Sequence, residues 1–464
     1  MRNPRRLSVP IHLERDLPEP LHHQLAAQLR QAIVTGRLAA GTRMPSTRTL
    51  AEVLRISRGV ALAAYEILLG EGHVVGRHGS GTYVARREEN RARRRPPAEA
   101  GLTTVDLTPD RPNPQAFPLI AWRSAWRRAS HHAPPDDELP PLGLPELRRE
   151  ITAYLRESRG LVLDDHEVVI TAGHEHALGL LLRATGEPSP LVALEDPALP
   201  RLRTALSRHA RVLPVPVDGD GARAGLVPGG CDAVVVTPER NNPLGARMSP
   251  DRRRALAAWA SATGGLVVEP AFDGVFDTAA NPLPSILSLS DPRRAAMAGS
   301  FRDILTPNLR VAFAVVPRHL AEAVEAGVPA ASGQPSFTCQ RAVTELLASG
   351  SVARHVERLS ALYATRRKLV RQALGGYART RLLGTDSGSA AALLLPDPAV
   401  ADAVTRTLRA RRIQVADLAT YHQGIPRHGI VLGYGHLDEM TLRRALHVIA
   451  RTLDTHGLPR SAAA

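Results

Sequence analysis

The chain has 464 residues, of which 44% are apolar and 22% charged, and this composition excludes both wholesale disorder and a fibrous protein. Two cysteines, Cys231 and Cys339, are too few for a disulfide framework or a cysteine-rich zinc site, and no apolar run approaches the roughly 20 residues that span a bilayer, so we expect a cytoplasmic protein without membrane association. A net charge of +14 indicates a polyanionic partner, and Lys368 is the single lysine among 59 basic residues.

Three predicted helices and a hairpin come first, within residues 1–86. Four aliphatic residues recur at intervals of four and predict a helix with one apolar stripe: Leu21, Leu25, Leu29 and Ile33. Residues 45–54 and 58–72 are predicted as two further helices, and residues 73–85 alternate and turn on glycines as a β-hairpin does. This order is typical of a winged helix-turn-helix DNA-binding domain.

In such a domain the second helix of the motif enters the major groove and presents its N-terminal side chains to the base edges. Arg58 can bridge two acceptors of a guanine, and Ser57 suits the N-cap of that helix. Arg48, Arg77 and His78 are placed to reach phosphate or the minor groove. The alternative is that all of these are ordinary solvated side chains.

Residues 87–104 are charged and proline-bearing, without apolar periodicity, and are predicted as a linker. Residues 105–464 alternate short apolar strands with helices, which predicts an α/β domain with a mainly parallel sheet flanked by helices. Seven strands of this sheet are predicted at residues 167–171, 191–195, 212–217, 233–237, 266–269, 295–298 and 311–316. The helices predicted between them include residues 173–182 and 250–262.

The last part of the chain, from about residue 345 to 464, is predicted to form a smaller α+β lobe. Its strands are expected at residues 391–395, 414–415 and 430–432, followed by a helix over residues 438–453.

Residues 20–85 closely resemble the GntR-family DNA-binding domain, in the segments PLHHQLAAQLR, GRLAAGTRMPSTRTLAEVL, ISRGVALAAYEILLGEGHV and GRHGSGTYVA. The resemblance implies DNA contacts from the helix-turn-helix and from the wing: Arg48, Ser57, Arg58, Arg77, His78, Gly79 and Gly81. A double-stranded DNA operator is therefore the expected partner.

The rest of the chain resembles a fold-type I aminotransferase, in segments such as VVITAGHEHAL, VVTPERNNPLG and GSFRDILTPNLR. A GntR-like head joined to such a domain resembles the MocR subfamily of transcriptional regulators. This resemblance implies a homodimer paired through the large domains, with pyridoxal phosphate as the family's cofactor.

The cofactor lysine of the aminotransferase pattern is missing. The family reads like G-[ST]-F-S-K-x-L-x-P-x-L-R, whereas GSFRDILTPNLR has Asp303 at the lysine position, and a carboxylate cannot form an imine with an aldehyde. Lys368 lies in a predicted helix well downstream and is expected at the surface. The resemblance implies that four further roles have also been replaced. They are the acid at the pyridine nitrogen, the tyrosine at the ring hydroxyl, the stacking aromatic and the arginine for a substrate carboxylate, at Pro270, Phe272, Leu199 and Val431 respectively.

Other positions of the cofactor site are retained, and with Asp303 they predict a remnant pocket for a small anionic ligand: Gly173, His174, Asn242, Ser300, Asp303 and Arg310. The alternative is an inherited scaffold in which Arg310 pairs with Asp303. No metal is predicted, because the spacing of His174 and His176 directs the two side chains to different sides of a helix.

The sequence therefore favours a sequence-specific regulator with a non-catalytic aminotransferase-like domain that binds no cofactor and serves dimerisation and ligand sensing. A second hypothesis is a conventional MocR-type regulator that binds pyridoxal phosphate non-covalently. A third, residual aminotransferase activity, requires an amine that the pocket lacks.

Overall fold

A computed structural model of the chain describes residues 9–14, 20–70, 73–77, 81–85, 104–272, 276, 283–330 and 333–460. The chain divides into two units, Met1–Leu102 and Thr103–Ala464. The predicted linker, residues 87–104, lies outside the described residues except for Thr104. Within the described parts, no helix is both long and apolar enough to cross a membrane.

The first unit has three helices and a hairpin: α1 (Leu21–Val34), α2 (Thr47–Leu54), α3 (Arg58–Gly70), β1 (Val74–Arg77) and β2 (Gly81–Val84). The predicted apolar stripe is present on α1, where Leu25 and Leu29 are fully buried. β1 and β2 pair antiparallel, so the predicted wing is confirmed in its described part. Residues 71 and 72, predicted to end the last helix, lie outside the described residues.

The second unit contains fourteen of the described strands: β3 (Val105–Asp106), β4 (His166–Thr171), β5 (Leu191–Asp196), β6 (Arg211–Asp218), β7 (Gly221–Ala222), β8 (Ala233–Val235), β9 (Leu266–Ala271), β10 (Ala295–Ser300), β11 (Ala312–Pro317), β12 (Arg381–Leu383), β13 (Ala390–Leu394), β14 (Ile413–Gln414), β15 (Ala416–Asp417) and β16 (Gly429–Gly433). Its helices are α4 (Leu119–Ala129), α5 (Pro145–Arg159), α6 (His174–Ala184), α7 (Pro200–Ser207), α8 (Pro250–Thr263), α9 (Ile286–Leu289), α10 (Ala321–Ala330), α11 (Phe337–Ala348), α12 (Ser351–Leu374), α13 (Pro398–Ala410) and α14 (Glu439–Thr455).

The large sheet has the order β4-β11-β10-β9-β8-β5-β6-β7 and is mainly parallel, as predicted. β11 runs antiparallel to both of its neighbours, and β7 returns antiparallel to β6. Adjacent strand residues face opposite layers: Val169 packs into the cluster that includes α6, α7 and α8, and Ile170 into the cluster that includes α5, α11 and α12. Helices therefore cover both faces of the sheet.

A second sheet of order β12-β13-β16-β15 forms the core of the small lobe with α13 and α14. The long helix α12 joins the two cores, because Leu359 packs into the cluster with α5 and α11, whereas Val370 packs into the cluster with α14. The single strand predicted at residues 414–415 is wrong in detail. The chain instead forms two short strands here. β14 pairs in parallel with β3, and β15 pairs antiparallel with β16, so the two strands have their backbone partners on different segments.

Candidate functional site

The first unit presents the start of α3 to solvent. Ser57 is exposed before the helix, where its Oγ accepts a hydrogen bond from the backbone N–H of Val60 (3.3 Å), and Arg58 is the exposed first residue. Arg48 lies on α2 with 82% of its side chain exposed and forms a 3.2 Å ion pair with Glu52. An exposed ion pair of this kind contributes little to stability, so Arg48 can leave Glu52 and bind a phosphate at little cost.

The wing of the first unit is formed by β1 and β2. Arg77 ends β1 directly opposite Gly81, whose φ of +111° favours glycine at this turn of the hairpin. His78 and Gly79, both predicted to contact DNA, lie outside the described residues.

The second unit has a polar cleft at the C-terminal ends of its parallel strands, the edge where ligands bind in open α/β sheets. Phe272 follows β9, Asp303 follows β10, and Asn242 lies in the loop after β8. His174 starts α6 after β4, with Gly173 as the N-cap residue, as the sequence predicts. These residues come from four separate segments, and the order of the strands brings them together.

Arg201, at the start of α7, is the central charge of this cleft. Its guanidinium carbon lies 4.9 Å from the centroid of the Phe272 ring, and its Nε lies 3.1 Å from Oδ2 of Asp110. Burial disfavours the charged form, but the nearby carboxylates of Asp110 and Asp303 raise the pKa of Arg201 above its usual value. The cleft therefore holds a permanent cation of its own.

His174 is the uncharged neighbour of this cation. Its ring centroid lies 4.5 Å from that of Phe272, and its Nε2 donates to the carbonyl oxygen of Ala271 (3.1 Å). Complete burial, together with the charge of Arg201, lowers the pKa of His174 to about 3. The imidazole is thus neutral at physiological pH. His176 accepts separately from the backbone N–H of Ala172 (3.1 Å).

Asp303 has 12% of its side chain exposed, and its Oδ1 lies 3.8 Å from Nε of the neighbouring Arg302. Arg310, by contrast, is exposed, with a φ of +51°. The alternative in which Arg310 pairs with Asp303 stays a prediction. Ser300 is also engaged locally, since its Oγ accepts from the backbone N–H of Arg302 (3.1 Å).

Asn242 is 4% exposed, and its Oδ1 has no hydrogen-bond partner among the described residues. It lines a small cavity beside Asp303, with Asp110, Phe272 and Tyr363 among the other walls. The volume of this cavity is about 10 Å³, room for about one water molecule.

The other positions at which the sequence departs from the family pattern are mostly buried among apolar side chains. Leu199 and Val431 belong to one hydrophobic cluster, and Pro270 lies within β9. Lys368 is exposed on α12, as the sequence predicts. No group of three or more histidine, cysteine or acidic side chains in the described residues could hold a metal ion.

No sequence motif predicted a role for Arg201 or Asp110. They are 91 positions apart in the chain and belong to no recognised motif. The one available signal was the position of Arg201 directly after the LEDPALP segment, which lies beside the cofactor in the family pattern.

Comparisons with known proteins agree with this two-part organisation. Residues 21–84 match the model of bacterial regulatory proteins of the gntR family, and residues 110–449 match that of aminotransferase class I and II. The chain is 34% identical over 456 residues to the HTH-type pyridoxine biosynthesis transcriptional regulator PdxR of Corynebacterium glutamicum, covering 95% of this chain and 98% of that protein.

A second relative is the probable rhizopine catabolism regulatory protein MocR of Rhizobium meliloti, 30% identical over 477 residues, with 94% of each chain covered. Among solved structures, Pyrococcus horikoshii kynurenine aminotransferase matches with a TM-score of 0.70 at 20% identity, over 76% of this chain and 91% of that chain. An archaeal alanine:glyoxylate aminotransferase matches with the same score at 21% identity. These two structures are similar to the second unit in fold.

Proposed function

The chain belongs to the aminotransferase class I and II family and carries a gntR-family domain, and on this premise we propose that it is a sequence-specific DNA-binding regulator whose aminotransferase-like domain does not catalyse transamination. The proposal that the domain does not catalyse transamination rests on Asp303. We align this carboxylate, in GSFRDILTPNLR, with the family's lysine, and the reversible imine of pyridoxal phosphate requires an amine. The single lysine, Lys368, is exposed on α12.

The described residues of the cleft do not fit pyridoxal phosphate. The guanidinium of Arg201 lies over Phe272, and the cavity left beside them has a volume of only about 10 Å³. Pro270, aligned with the acid that holds the pyridine nitrogen, can neither ionise nor donate from its side chain. Among the described residues the cleft offers neither an amine for the imine nor an acid at the position of Pro270, so no transamination step follows from this arrangement.

Non-covalent binding of pyridoxal phosphate is the second candidate, and the observation that favours it is Asn242. Its buried Oδ1 lacks a partner among the described residues and could accept a hydrogen bond from a ligand. Binding would require the side chain of Arg201 to move off Phe272.

Titration of the purified chain with pyridoxal phosphate separates these candidates. The non-catalytic proposal expects no aldimine absorbance band and no gain in intact mass after borohydride reduction. A saturable spectral change without a gain in mass would favour non-covalent binding. A stable adduct on Lys368, or turnover of any amino donor, would contradict the proposal.

The DNA-binding part of the proposal is supported by the exposed N-terminus of α3, with Arg58 and Ser57, and by the exposed Arg48 on α2. The operator is identified by selecting bound fragments from random duplexes, and its affinity is compared with that of a scrambled duplex. A preference of at least about a thousandfold is expected for a specific site. Equal affinity for the two duplexes would contradict sequence-specific binding.

We also propose a cytoplasmic homodimer in which a small anionic ligand sensed by the aminotransferase-like domain changes operator affinity. Such a ligand acts only if it binds the DNA-competent and incompetent forms with different affinities, and coupling of this kind is typically about 1–3 kcal/mol. The remnant pocket predicted from Gly173, His174, Asn242, Ser300, Asp303 and Arg310 stays a prediction, and the small cavity that Asn242 and Asp303 line has a volume of about 10 Å³.

A further inference from the structure

A second and much larger cavity lies between the two lobes of the aminotransferase-like unit. Its volume is about 830 Å³, within the range of about 300–1,000 Å³ that is typical of small-molecule sites. Its walls are the end of β6, the loop of residues 244–247, β12 with residues 384–387, and Arg427. It shares no described lining residue with the small cavity beside Asp303.

The inner end of this cavity is fixed by a close approach of two backbone segments. A Cβ added to Gly245 would lie 2.2 Å from the Cα of Gly384, and both glycines have positive φ angles, so neither position tolerates a side chain. The buried guanidinium of Arg240 holds the same loop, donating to the carbonyl oxygens of Gly384 (3.2 Å), Ser387 (3.2 Å) and Ala390 (2.7 Å). The wall is therefore pre-formed.

The cavity is lined by two carboxylates and three arginines. Asp218 is held by both terminal nitrogens of Arg252, at 2.5 and 2.6 Å, and this bidentate hydrogen bond lowers the pKa of the carboxyl group. Asp386 is 91% exposed and lies 3.8 Å from Arg371. Each lining carboxylate therefore lies near an arginine that does not line the cavity.

Three other arginines do line the cavity: Arg247, Arg381 and Arg427. Arg427 donates to the carbonyl oxygen of Val217 (2.9 Å) rather than to a carboxylate, and Arg381 is exposed at the start of β12. The local excess of positive charge favours an anion, and guanidinium groups suit the planar fork of a carboxylate.

Four leucines also line the cavity: Leu244, Leu382, Leu383 and Leu394. From this combination we propose that the cavity between the lobes binds a small organic acid, with its acidic group on Arg381 and Arg427 and its apolar body on the leucines. This binding is independent of the operator, so it is tested without DNA.

The test uses naphthylacetate as the probe and naphthylacetamide as its uncharged counterpart, each titrated into the full chain by calorimetry. On the unmodified protein we expect the acid to bind at least about tenfold more tightly than the amide, which corresponds to about 1.4 kcal/mol. In Arg381→Gln/Arg427→Gln this preference is lost. In Arg406→Gln/Arg409→Gln, a control at two exposed arginines of α13 in the same lobe, the preference is retained.

Leu383→Trp provides a second variant that keeps every charge and reduces the cavity volume, and it should weaken binding of the acid and the amide alike. It also serves if the double arginine variant fails to fold. Equal binding of acid and amide to the unmodified protein, no saturable binding of the acid, or an acid affinity unchanged in both Leu383→Trp and the double arginine variant would each overturn the proposal.

Discussion

Arg201 is a partly buried positive charge at the cleft of the aminotransferase-like domain, with 25% of its side chain exposed, and its carboxylate neighbours depend on it. Its Nε contacts Asp110, and the attraction of Asp303 contributes to its raised pKa. A charge that loses its partner in a partly buried site keeps the cost of desolvation without the compensating attraction. The stability of the cleft should therefore depend on this one guanidinium.

Replacing Arg201 with methionine tests this dependence. Arg201→Met retains much of the side-chain volume and removes the charge, so we expect the free energy of unfolding to fall by about 2 kcal/mol. Urea unfolding at neutral pH measures the change. Arg208→Met is the matched control, because Arg208 pairs with Glu175 at 3.4 Å with more than half of each side chain exposed, and such a pair is worth at most about 1 kcal/mol. Equal effects of the two substitutions would contradict the structural role of Arg201.

Glu195, at the end of β5, gives the same domain a pH-dependent stability. Complete burial raises the pKa of its carboxyl group to about 7, although Thr237 donates to it from its backbone N–H (3.0 Å) and from its hydroxyl group. Between the ordinary pKa of 4.5 and about 7, the folded chain keeps a proton that the unfolded chain has lost. The stabilisation is therefore fully present below pH 4.5 and is lost as the pH rises through about 7.

Glu195→Gln should remove this part of the pH dependence. In the unmodified chain the contribution of Glu195 to the free energy of unfolding should fall by about 3 kcal/mol across that interval. The glutamine variant should show a flatter profile over the same interval in urea unfolding at a series of pH values. Glu157→Gln, at an exposed residue of α5, should leave the profile unchanged. A profile for Glu195→Gln that matches that of the unmodified chain would contradict the buried titration.

At the candidate site, motifs made part of the arrangement predictable. Asp303 and His174 lie beside the same cleft, as expected from segments whose spacing survives in the sequence. Arg201 could not be predicted, because its role depends on Asp110 and Phe272, which approach it only in the folded chain.

Among the secondary-structure elements, α3 corresponds to the helix that enters the major groove in winged helix-turn-helix domains. Its first residue, Arg58, follows the N-cap residue Ser57, so the side chain projects from the end of the helix that enters the major groove in winged helix-turn-helix domains. Arg48 lies one helix earlier, where contacts to the phosphate backbone are the common role.

The two arginines should therefore have different effects on binding. We expect Arg58→Ala to weaken binding to the selected operator by about 1–3 kcal/mol and to relax the preference at one base pair, with little effect on scrambled DNA. Fluorescence anisotropy with the operator and its single-base variants measures both quantities.

Arg48→Ala is the matched comparison. It should weaken binding to operator and scrambled DNA alike and reduce the salt dependence by about one phosphate contact. Arg37→Ala, at an exposed residue after α1, should change neither quantity. If Arg58→Ala and Arg48→Ala have the same profile, α3 does not read base edges through Arg58.

The pairing of short strands is a feature of the fold that the sequence pattern does not predict. Periodicity predicted seven of the eight strands of the large sheet, because buried strands are continuous apolar runs bounded by turns. The two-residue strand β7 was not predicted. The short pair β3 and β14 was not predicted, since its two strands are two residues each and lie about 300 positions apart in the chain. Two such short strands pair because the folded lobe brings them together, and a local sequence pattern carries no information about which segments meet.

For the whole molecule, the proposed dimer makes a prediction about the operator. Residues 1–102 carry the DNA-binding elements and residues 103–464 the aminotransferase-like unit, so a dimer joined through the latter brings two heads to one DNA molecule. We expect a duplex with two half-sites to bind at least about 100-fold more tightly than a duplex with one, because the second contact is intramolecular.

Inserting about 5 base pairs between the half-sites turns one of them to the opposite side of the helix and should remove most of this gain, whereas inserting about 10 should restore part of it. Anisotropy titrations at constant salt, with sedimentation to count chains per duplex, measure these affinities. Equal affinity for one and two half-sites, or one chain per duplex, would contradict the dimeric regulator.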